Sequence, residues 1–273
     1  MQYERTFAKS VAKAIRTKPE DNRAQIKMVG IQNVTALLLV CWMILGVGCE
    51  SRGTVETTKP RRTTLAELCD QYRTDKCPDH HNYVQIYDTL FAPIRDTSLK
   101  ILEIGVFQGR SMRLWEAYFP VAEIYGLDIE SKSHYDSPRV KTLVADQGKR
   151  DDLARVLATT GTDFNLILDD GGHRMDQQQI SFGVLFPTLK QGGLYIIEDI
   201  HTSFPEKYPG YGVEPDGQNS TYAMIDRFVR TGNIRSKYLT QAESDYLTQN
   251  VSHCAYFLRS NRFHSDFFAC WKK

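Results

Sequence analysis

Between residues 100 and 198 the chain sets out five short apolar runs, each closing on a glycine or an acid, with helical patterning in most of the gaps between them. Runs of that length read as strands, and the order is strand 100–105, helix 109–118, strand 123–128, strand 140–145, helix 149–158, strand 163–169, helix 175–190 and strand 193–198. Strands that alternate with helices return through right-handed crossovers, so the predicted fold class is α/β: a doubly wound, mostly parallel sheet with helices on both faces. Val251 to Leu258 and Arg262 to Trp271, separated by Arg259-Ser260-Asn261, add a C-terminal antiparallel hairpin. Helical spacing of Leu65, Leu68 and Tyr72, then of Tyr83, Ile86, Tyr87 and Leu90, predicts one or two helices ahead of the first strand, covering the ligand crevice.

Open α/β sheets bind ligands at the carboxyl ends of their strands, and here those ends carry the polar residues. The segment Lys100 to Ser111 reads as a strand breaking into Gly105-x-x-x-Gly109 and then a helix. The glycines let a ligand approach the backbone, and the helix start offers unpaired N–H groups. The middle glycine of the dinucleotide fingerprint is missing, which argues against a pyrophosphate on this turn. Tyr125-Gly126-Leu127-Asp128 ends the second strand with an acid suited to paired ribose hydroxyls, and Asp146-Gln147 ends the third with groups suited to an adenine edge. The predicted cofactor therefore carries adenosine.

Two further strand ends, Asp169-Asp170-Gly171-Gly172-His173 and Gly192 to Asp199, bring three or four carboxylates and an imidazole together. Hard dications such as Mg²⁺ take oxygen ligands and keep several waters, leaving positions for a substrate. Imidazole is the side chain that exchanges protons near neutrality, so His173 reads as a base and His201 as its reserve. The expected chemistry is activation of a hydroxyl. The register between Asp169 and Asp170 stays open, with Asp169 expected as the bystander that caps the following turn. Ser203 to Ser220, rich in Pro, Gly and Tyr, reads as a lid or acceptor platform whose Phe204, Tyr208 and Tyr211 either stack on an acceptor or pin the loop. Trp115, Tyr118 and Phe119 read as core.

With 273 residues, 41% hydrophobic and 25% charged, the composition suits one enzyme-sized domain, placed at 64–273. A net charge of +1 gives no electrostatic case for nucleic acid. The six cysteines, at 41, 49, 69, 77, 254 and 270, are irregularly spaced without a C-x-x-C pair and are expected as reduced thiols. Residues 1–33 form a polar, basic extension, 34–49 a short apolar segment and 50–63 a linker. The charge-free stretch from Val34 to Gly48 is shorter than the roughly 20 residues of a membrane span and suits a signal or anchor. Its end at Cys49 resembles a lipoprotein cleavage site, apart from Gly46. Export or membrane association through 34–49 stays open, as does a homo-oligomer. An adenosyl cofactor is a cytosolic metabolite, so the catalytic domain is expected to be cytoplasmic.

Taken together, Glu103-Ile104-Gly105, Tyr125 to Asp128, Asp146-Gln147, Asp169 to His173 and Gly193 to Asp199 resemble the class I S-adenosylmethionine-dependent methyltransferases, which are Rossmann-like. More narrowly, the chain is similar over about residues 66 to 270 to metal-dependent sugar O-methyltransferases of macrolide biosynthesis, the macrocin and mycinamicin type. Thr74-Asp75-Lys76, followed by His81 and Tyr83, matches a stretch that in such proteins precedes the core and helps enclose the cofactor. The resemblance implies S-adenosylmethionine and Mg²⁺ as cofactors. It implies Asp170, Glu198 and Asp199 as metal ligands and His173 as general base. The implied cofactor contacts are Glu103, Gly105, Gly109, Ser111, Asp128, Asp146 and Gln147. Where the family usually has Asp-Gly-Ser-His, this chain has Asp170-Gly171-Gly172-His173.

The implied partner is a small-molecule acceptor with a sugar hydroxyl. A catechol-type acceptor is the nearest rival, because a metal chelates two phenolic oxygens equally well. A non-catalytic adenosine-binding or membrane-tethered module would need the glycine turn but not the acids with His173. A nicotinamide-dependent oxidoreductase would prefer the missing glycine and a Tyr/Lys pair.

Overall fold

The computed structural model describes residues 62–258 and 265–273. The expected basic extension, the apolar segment 34–49 and the linker up to residue 61 lie outside them, as does the expected turn at Arg259-Ser260-Asn261. Among the described residues no helix is long and apolar enough to cross a membrane.

Seven strands form one mixed sheet in the order β3-β2-β1-β4-β5-β7-β6. β1 (Lys100–Ile104), β2 (Glu123–Asp128), β3 (Val140–Val144), β4 (Phe164–Asp169) and β5 (Leu189–Glu198) run parallel. β6 (Val251–Leu258) and β7 (Asp266–Lys272) complete it in antiparallel sense. The chain leaves β1 toward β2 and β3 and returns to place β4 on the other side of β1. That reversal opens the crevice in which such sheets bind ligands.

Side-chain alternation along each central strand divides the core in two. Ile101, Leu166, Leu168, Leu194 and Ile196 point to one face, where α1 (Leu65–Tyr72), α2 (Val84–Phe91) and α3 (Arg110–Tyr118) pack around Trp115. Leu102, Ile104, Ile167, Tyr195 and Ile197 point to the other. There they meet α4 (Arg150–Thr160), α5 (Met175–Leu185), α6 (Thr221–Thr231) and α7 (Gln241–Asn250). Central strands buried on both faces explain why the sequence shows continuous apolar runs there.

The structure departs from the sequence reading in four places. The helix expected over 175–190 ends at Leu185, where Phe186-Pro187-Thr188 tightens into a 3₁₀ turn and β5 begins at Leu189. Pro187 has no N–H to continue an i→i−4 ladder. The second hairpin strand begins at Asp266 rather than Arg262. Helices α6 and α7 were not anticipated, although Ser220 caps one and the Thr240/Glu243 box caps the other. The cysteines are not all reduced thiols: Cys69 pairs with Cys77 and Cys254 with Cys270. Spacing hid both pairs. One closes the turn after α1, and the other joins residues that face each other across β6 and β7.

The ends of β1 and β4 touch at Gly105. Its φ of +91° is open to glycine, and a Cβ there would lie 2.0 Å from the Asp170 carbonyl oxygen. Gly105→Ala is therefore expected to destabilise the fold by about 3 kcal/mol, through a strained φ and a displaced β4 turn together. Urea unfolding checks this, and a loss under about 1 kcal/mol would show that the two turns separate easily.

Candidate active site

On the cofactor side, Asp128 braces the turn that follows β1. Its Oδ2 accepts the N–H groups of Val106 (3.0 Å) and Phe107 (2.9 Å), while Oδ1 accepts that of Glu130 (3.0 Å). Phe107 sits in the left-handed region at φ 47° and is 73% exposed; Ile129, next to Asp128, is 69% exposed. Two large apolar side chains displayed beside a strand-end carboxylate form a surface suited to a heterocycle, and the sequence reading had not singled them out. Gly109, at φ 67°, lies against the Tyr135 ring, which a Cβ would approach to 2.5 Å.

The other expected cofactor contacts divide between rim and interior. Gly105, Asp128 and Asp146 remain part-exposed, whereas Glu103, Gly109, Ser111 and Gln147 are buried. Ser111 donates its hydroxyl to Glu103 Oε2 at 2.8 Å, and Glu103 Oε1 has no hydrogen-bond partner. Asp146 Oδ1 accepts Gly148 N–H at 2.9 Å, and its Oδ2 faces Lys149 Nζ at 3.3 Å. Gln147 uses both ends of its amide internally. Nε2 donates to Asp169 Oδ1 at 2.9 Å and Oε1 accepts from Gly172 N–H at 2.8 Å, so it staples the β4 turn.

The acids at the ends of β4 and β5 separate into distinct environments. Asp169 is fully buried among neutral donors, Gln147, the Ser181 hydroxyl and Tyr195 OH, and also takes the backbone N–H of Gly171 in the turn that follows. Asp170 instead accepts from the ammonium of Lys76. The same Lys76 Nζ lies 3.2 Å from Glu198 Oε2 and 3.8 Å from Glu103 Oε1. Tyr87 OH donates to Glu198 Oε1 at 2.8 Å, and Tyr83 OH donates to Asp199 Oδ1 at 2.9 Å. His173 Nε2 stands 3.5 Å from Asp199 Oδ2, and its buried Nδ1 has no hydrogen-bond partner.

Asp170, His173 and Asp199 each present a ligand atom, and these atoms lie within 4.8 Å of one another. Glu198 joins them through Lys76. His173 and Asp199 both adopt left-handed backbone, at φ 54° and 55°. For non-glycine residues this costs on the order of 1–3 kcal/mol each and persists only where surrounding contacts impose it.

Burial dominates the proton affinities. It pushes Glu198 up to about 8, against the pull of Lys76. Burial and then the Glu198 charge raise Asp170 well above the carboxylate range, with Lys76 opposing. For Asp199 burial is outweighed by His173, His81, His201 and the Tyr83 hydroxyl, which hold it below the ordinary value. Carboxylates gathered out of water ask for positive charge.

Beyond Asp199, Asp266 accepts from the His201 backbone N–H at 2.7 Å and faces His201 Nδ1 at 3.2 Å, while Tyr256 OH bonds its other oxygen. Burial would lower His201, but the Asp266 bond together with the charges of Asp199 and Asp266 outweighs it and the imidazole is raised. Tyr208 reaches the His201 ring at 4.5 Å between centroids, and Phe204 packs on Tyr222 at 5.2 Å. In the expected platform loop, then, Phe204 pins and Tyr208 faces the site.

The donor set fits a hard dication. Two carboxylates and an imidazole, Asp170, Asp199 and His173, converge, and the buried His173 Nδ1 is unpartnered; Glu198, the third expected ligand, stands outside this cluster with its oxygens on Tyr87 and Lys76. Sequence reasoning missed Tyr83 and Tyr87 as partners of the acids and did not find Asp266. It took Lys76 only as part of an enclosing stretch.

No family model matches the chain. Among curated proteins it is 38% identical to mycinamicin VI 2''-O-methyltransferase of Micromonospora griseorubida over 165 residues, 58% of this chain and 40% of that protein. It is also 38% identical to demethylmacrocin O-methyltransferase of Streptomyces fradiae over 168 residues, 59% and 42% of the two chains. L-olivosyl-oleandolide 3-O-methyltransferase of Streptomyces antibioticus matches at 31% over 199 residues, 68% and 50%. The chain thus spans half or less of the length of these relatives. Among solved structures it superimposes on the MycE methyltransferase of the mycinamycin biosynthetic pathway, in complex with Mg, SAH and mycinamycin VI. The TM-score is 0.64 at 29% identity, covering 78% of this chain and 55% of that one.

The raised Glu198 sets a pH dependence. The folded chain holds a proton that the unfolded chain releases above about 4.5, so this contribution to stability is full below 4.5 and is lost as pH rises through about 8. In metal-free buffer, wild type is expected to lose stability relative to Glu198→Gln between pH 5 and 8.5. Urea unfolding across that range reads the difference, and parallel curves for the two proteins would refute the assignment.

Proposed function

We propose, from a class I methyltransferase fold and the likeness to macrocin- and mycinamicin-type enzymes, that this chain transfers a methyl group from S-adenosylmethionine to a sugar hydroxyl of a glycosylated small molecule, with a macrolide as the favoured acceptor class. The observation that carries the reading is the convergence of Asp170, His173 and Asp199 at the ends of adjacent strands, beside a glycine turn braced by Asp128. A module that only bound adenosine would have no use for that cluster.

S-adenosylmethionine would supply a methyl group activated on a sulfonium, with S-adenosylhomocysteine leaving as the hydroxyl oxygen takes the methyl carbon. Asp170, Glu198 and Asp199 would hold Mg²⁺, which would supply Lewis acidity at the acceptor. The protein's residues do the rest. Asp128 fixes the turn through two backbone N–H groups and retains acceptor capacity for ribose hydroxyls, while Phe107 and Ile129 offer apolar surface to the base. His173 takes the hydroxyl proton on a ring nitrogen. Asp199, 3.5 Å from Nε2, steadies the imidazolium that results. Tyr83 and Tyr87 hold the carboxylates of Asp199 and Glu198 in place by donating to one oxygen of each. Tyr208 and His201 form an aromatic wall on the acceptor side.

Calorimetric titration of the full chain with S-adenosylhomocysteine, followed by methylation of glycosylated macrolides and of catechols in Mg²⁺ buffer, tests the reading. Asp128→Ala is expected to weaken cofactor binding by about 10- to 100-fold, the scale of a lost hydrogen bond to a charged group. His173→Ala is expected to lower turnover about 10²- to 10⁴-fold with cofactor affinity unchanged, and Asp170→Asn to abolish Mg²⁺ dependence. A folded chain that binds no cofactor would overturn the proposal, and a preference for catechols would replace the sugar.

A further inference from the structure

Lys76 has no task in that mechanism, yet it sits at the centre of the acids. Its side chain is 1% exposed, its Nζ bonds Asp170, and the same atom lies 3.2 Å from Glu198 Oε2, 3.6 Å from Asp75 Oδ1 and 3.8 Å from Glu103 Oε1. We propose that Lys76 is a resident cation of the metal site: a tethered ammonium that shares Asp170 and Glu198 with the bound dication, pre-forms the site before the dication arrives and weakens its hold. The inference rests on the metal assignment made above.

Three features make the ammonium a fixture. First, the residue is pinned through its backbone, since Lys76 N–H donates to Thr74 Oγ1 at 3.1 Å and its carbonyl accepts from Val84 N–H at 3.2 Å. Second, the turn that carries it is closed by the Cys69–Cys77 disulfide. Third, at 1% exposure the side chain has no solvent to swing into without unpacking that turn.

A dication drawn to Asp170 and Glu198 therefore meets a positive charge that is not displaced. Like charges on shared carboxylates repel, and in a part-buried site the repulsion is less screened than on the open surface. Conversely, with neither cation present, the carboxyl groups of Asp170 and Glu198 would lose the partner they share, and leaving buried polar groups without one is costly. The ammonium lets these acids assemble in the folded chain, and the same charge keeps the dication exchangeable.

Lys76→Met keeps the stem and removes the charge. The full-length wild type and variant are titrated with Mn²⁺ alone, reading Mn²⁺ affinity by calorimetry and the thermal midpoint with and without the ion. The expected result is Mn²⁺ binding at least tenfold tighter in Lys76→Met, with a metal-free midpoint several degrees below wild type that Mn²⁺ restores. The wild-type midpoint should move little. Equal or weaker binding in the variant, or a lowered midpoint that Mn²⁺ does not restore, would overturn the inference and leave Lys76 a purely structural ion-pair partner. If wild type and variant both fail to bind Mn²⁺, the metal assignment falls and this inference with it. Should Lys76→Met not fold, Lys76→Met/Glu103→Gln removes the ammonium together with one carboxylate outside the proposed ligand set. The same tenfold gain is expected there, and its absence would again overturn the proposal.

Discussion

Burial of carboxylates at three adjacent strand ends is the constraint around which the molecule is arranged. Glu103, Asp169 and Glu198 are buried and Asp170 is part-buried at the ends of β1, β4 and β5, and each needs compensation that its own strand cannot supply. Asp169 obtains it from neutral donors on β5, α5 and the segment after β3. Glu103 takes a hydroxyl from the helix that follows its turn. Asp170 depends on Lys76, Glu198 on Lys76 and Tyr87, and Asp199 on Tyr83, all from the segment that precedes the sheet. The two N-terminal helices thus do more than cover apolar surface on one face. They deliver the polar partners without which the strand ends would stay unfolded or wet.

The site has two halves held by different means. Toward β2 the geometry is made from backbone: N–H groups of the glycine turn converge on Asp128, and close approach of two turns demands Gly105. Toward β5 it is made from side chains, with left-handed backbone at His173 and Asp199 turning an imidazole and a carboxylate toward each other. Strain of that kind concentrates where neighbouring contacts over-determine a conformation, as the Tyr83 hydroxyl on Asp199 and the Thr202 hydroxyl on the His173 carbonyl do here.

Much of this was legible in the sequence because the relevant signals are local. Apolar runs punctuated by Gly105, Asp128, Asp146, Asp169 and Glu198 mark strand ends, and a parallel sheet brings those ends to one edge. What stayed hidden lies far apart along the chain. Lys76 and Asp170 are separated by 94 residues, Tyr87 and Glu198 by 111, and Tyr83 and Asp199 by 116, so no spacing announces them. Gln147 read as a ligand contact because it sits at a strand end, but its reach inward to Asp169 depends on packing alone. The cysteines misled for the same reason, pairing across a turn and across two strands. Disulfides persist in oxidising surroundings, which sets these two against a cytoplasmic placement inferred from the cofactor.

The reversal of direction at β7 has an architectural consequence. In a parallel sheet each strand offers the rim its last residues, and adding another would require a crossover segment passing over a face. Running antiparallel beside β5, β7 offers its first residues instead, so Asp266 enters the rim opposite Glu198 and Asp199 and takes hold of His201. His201 and the Tyr208 ring against it are therefore tied to the sheet by a strand that shares no turn with Gly105 and Asp128. Substitutions on β7 can thus shift His201 and Tyr208 without touching the turn that Asp128 braces.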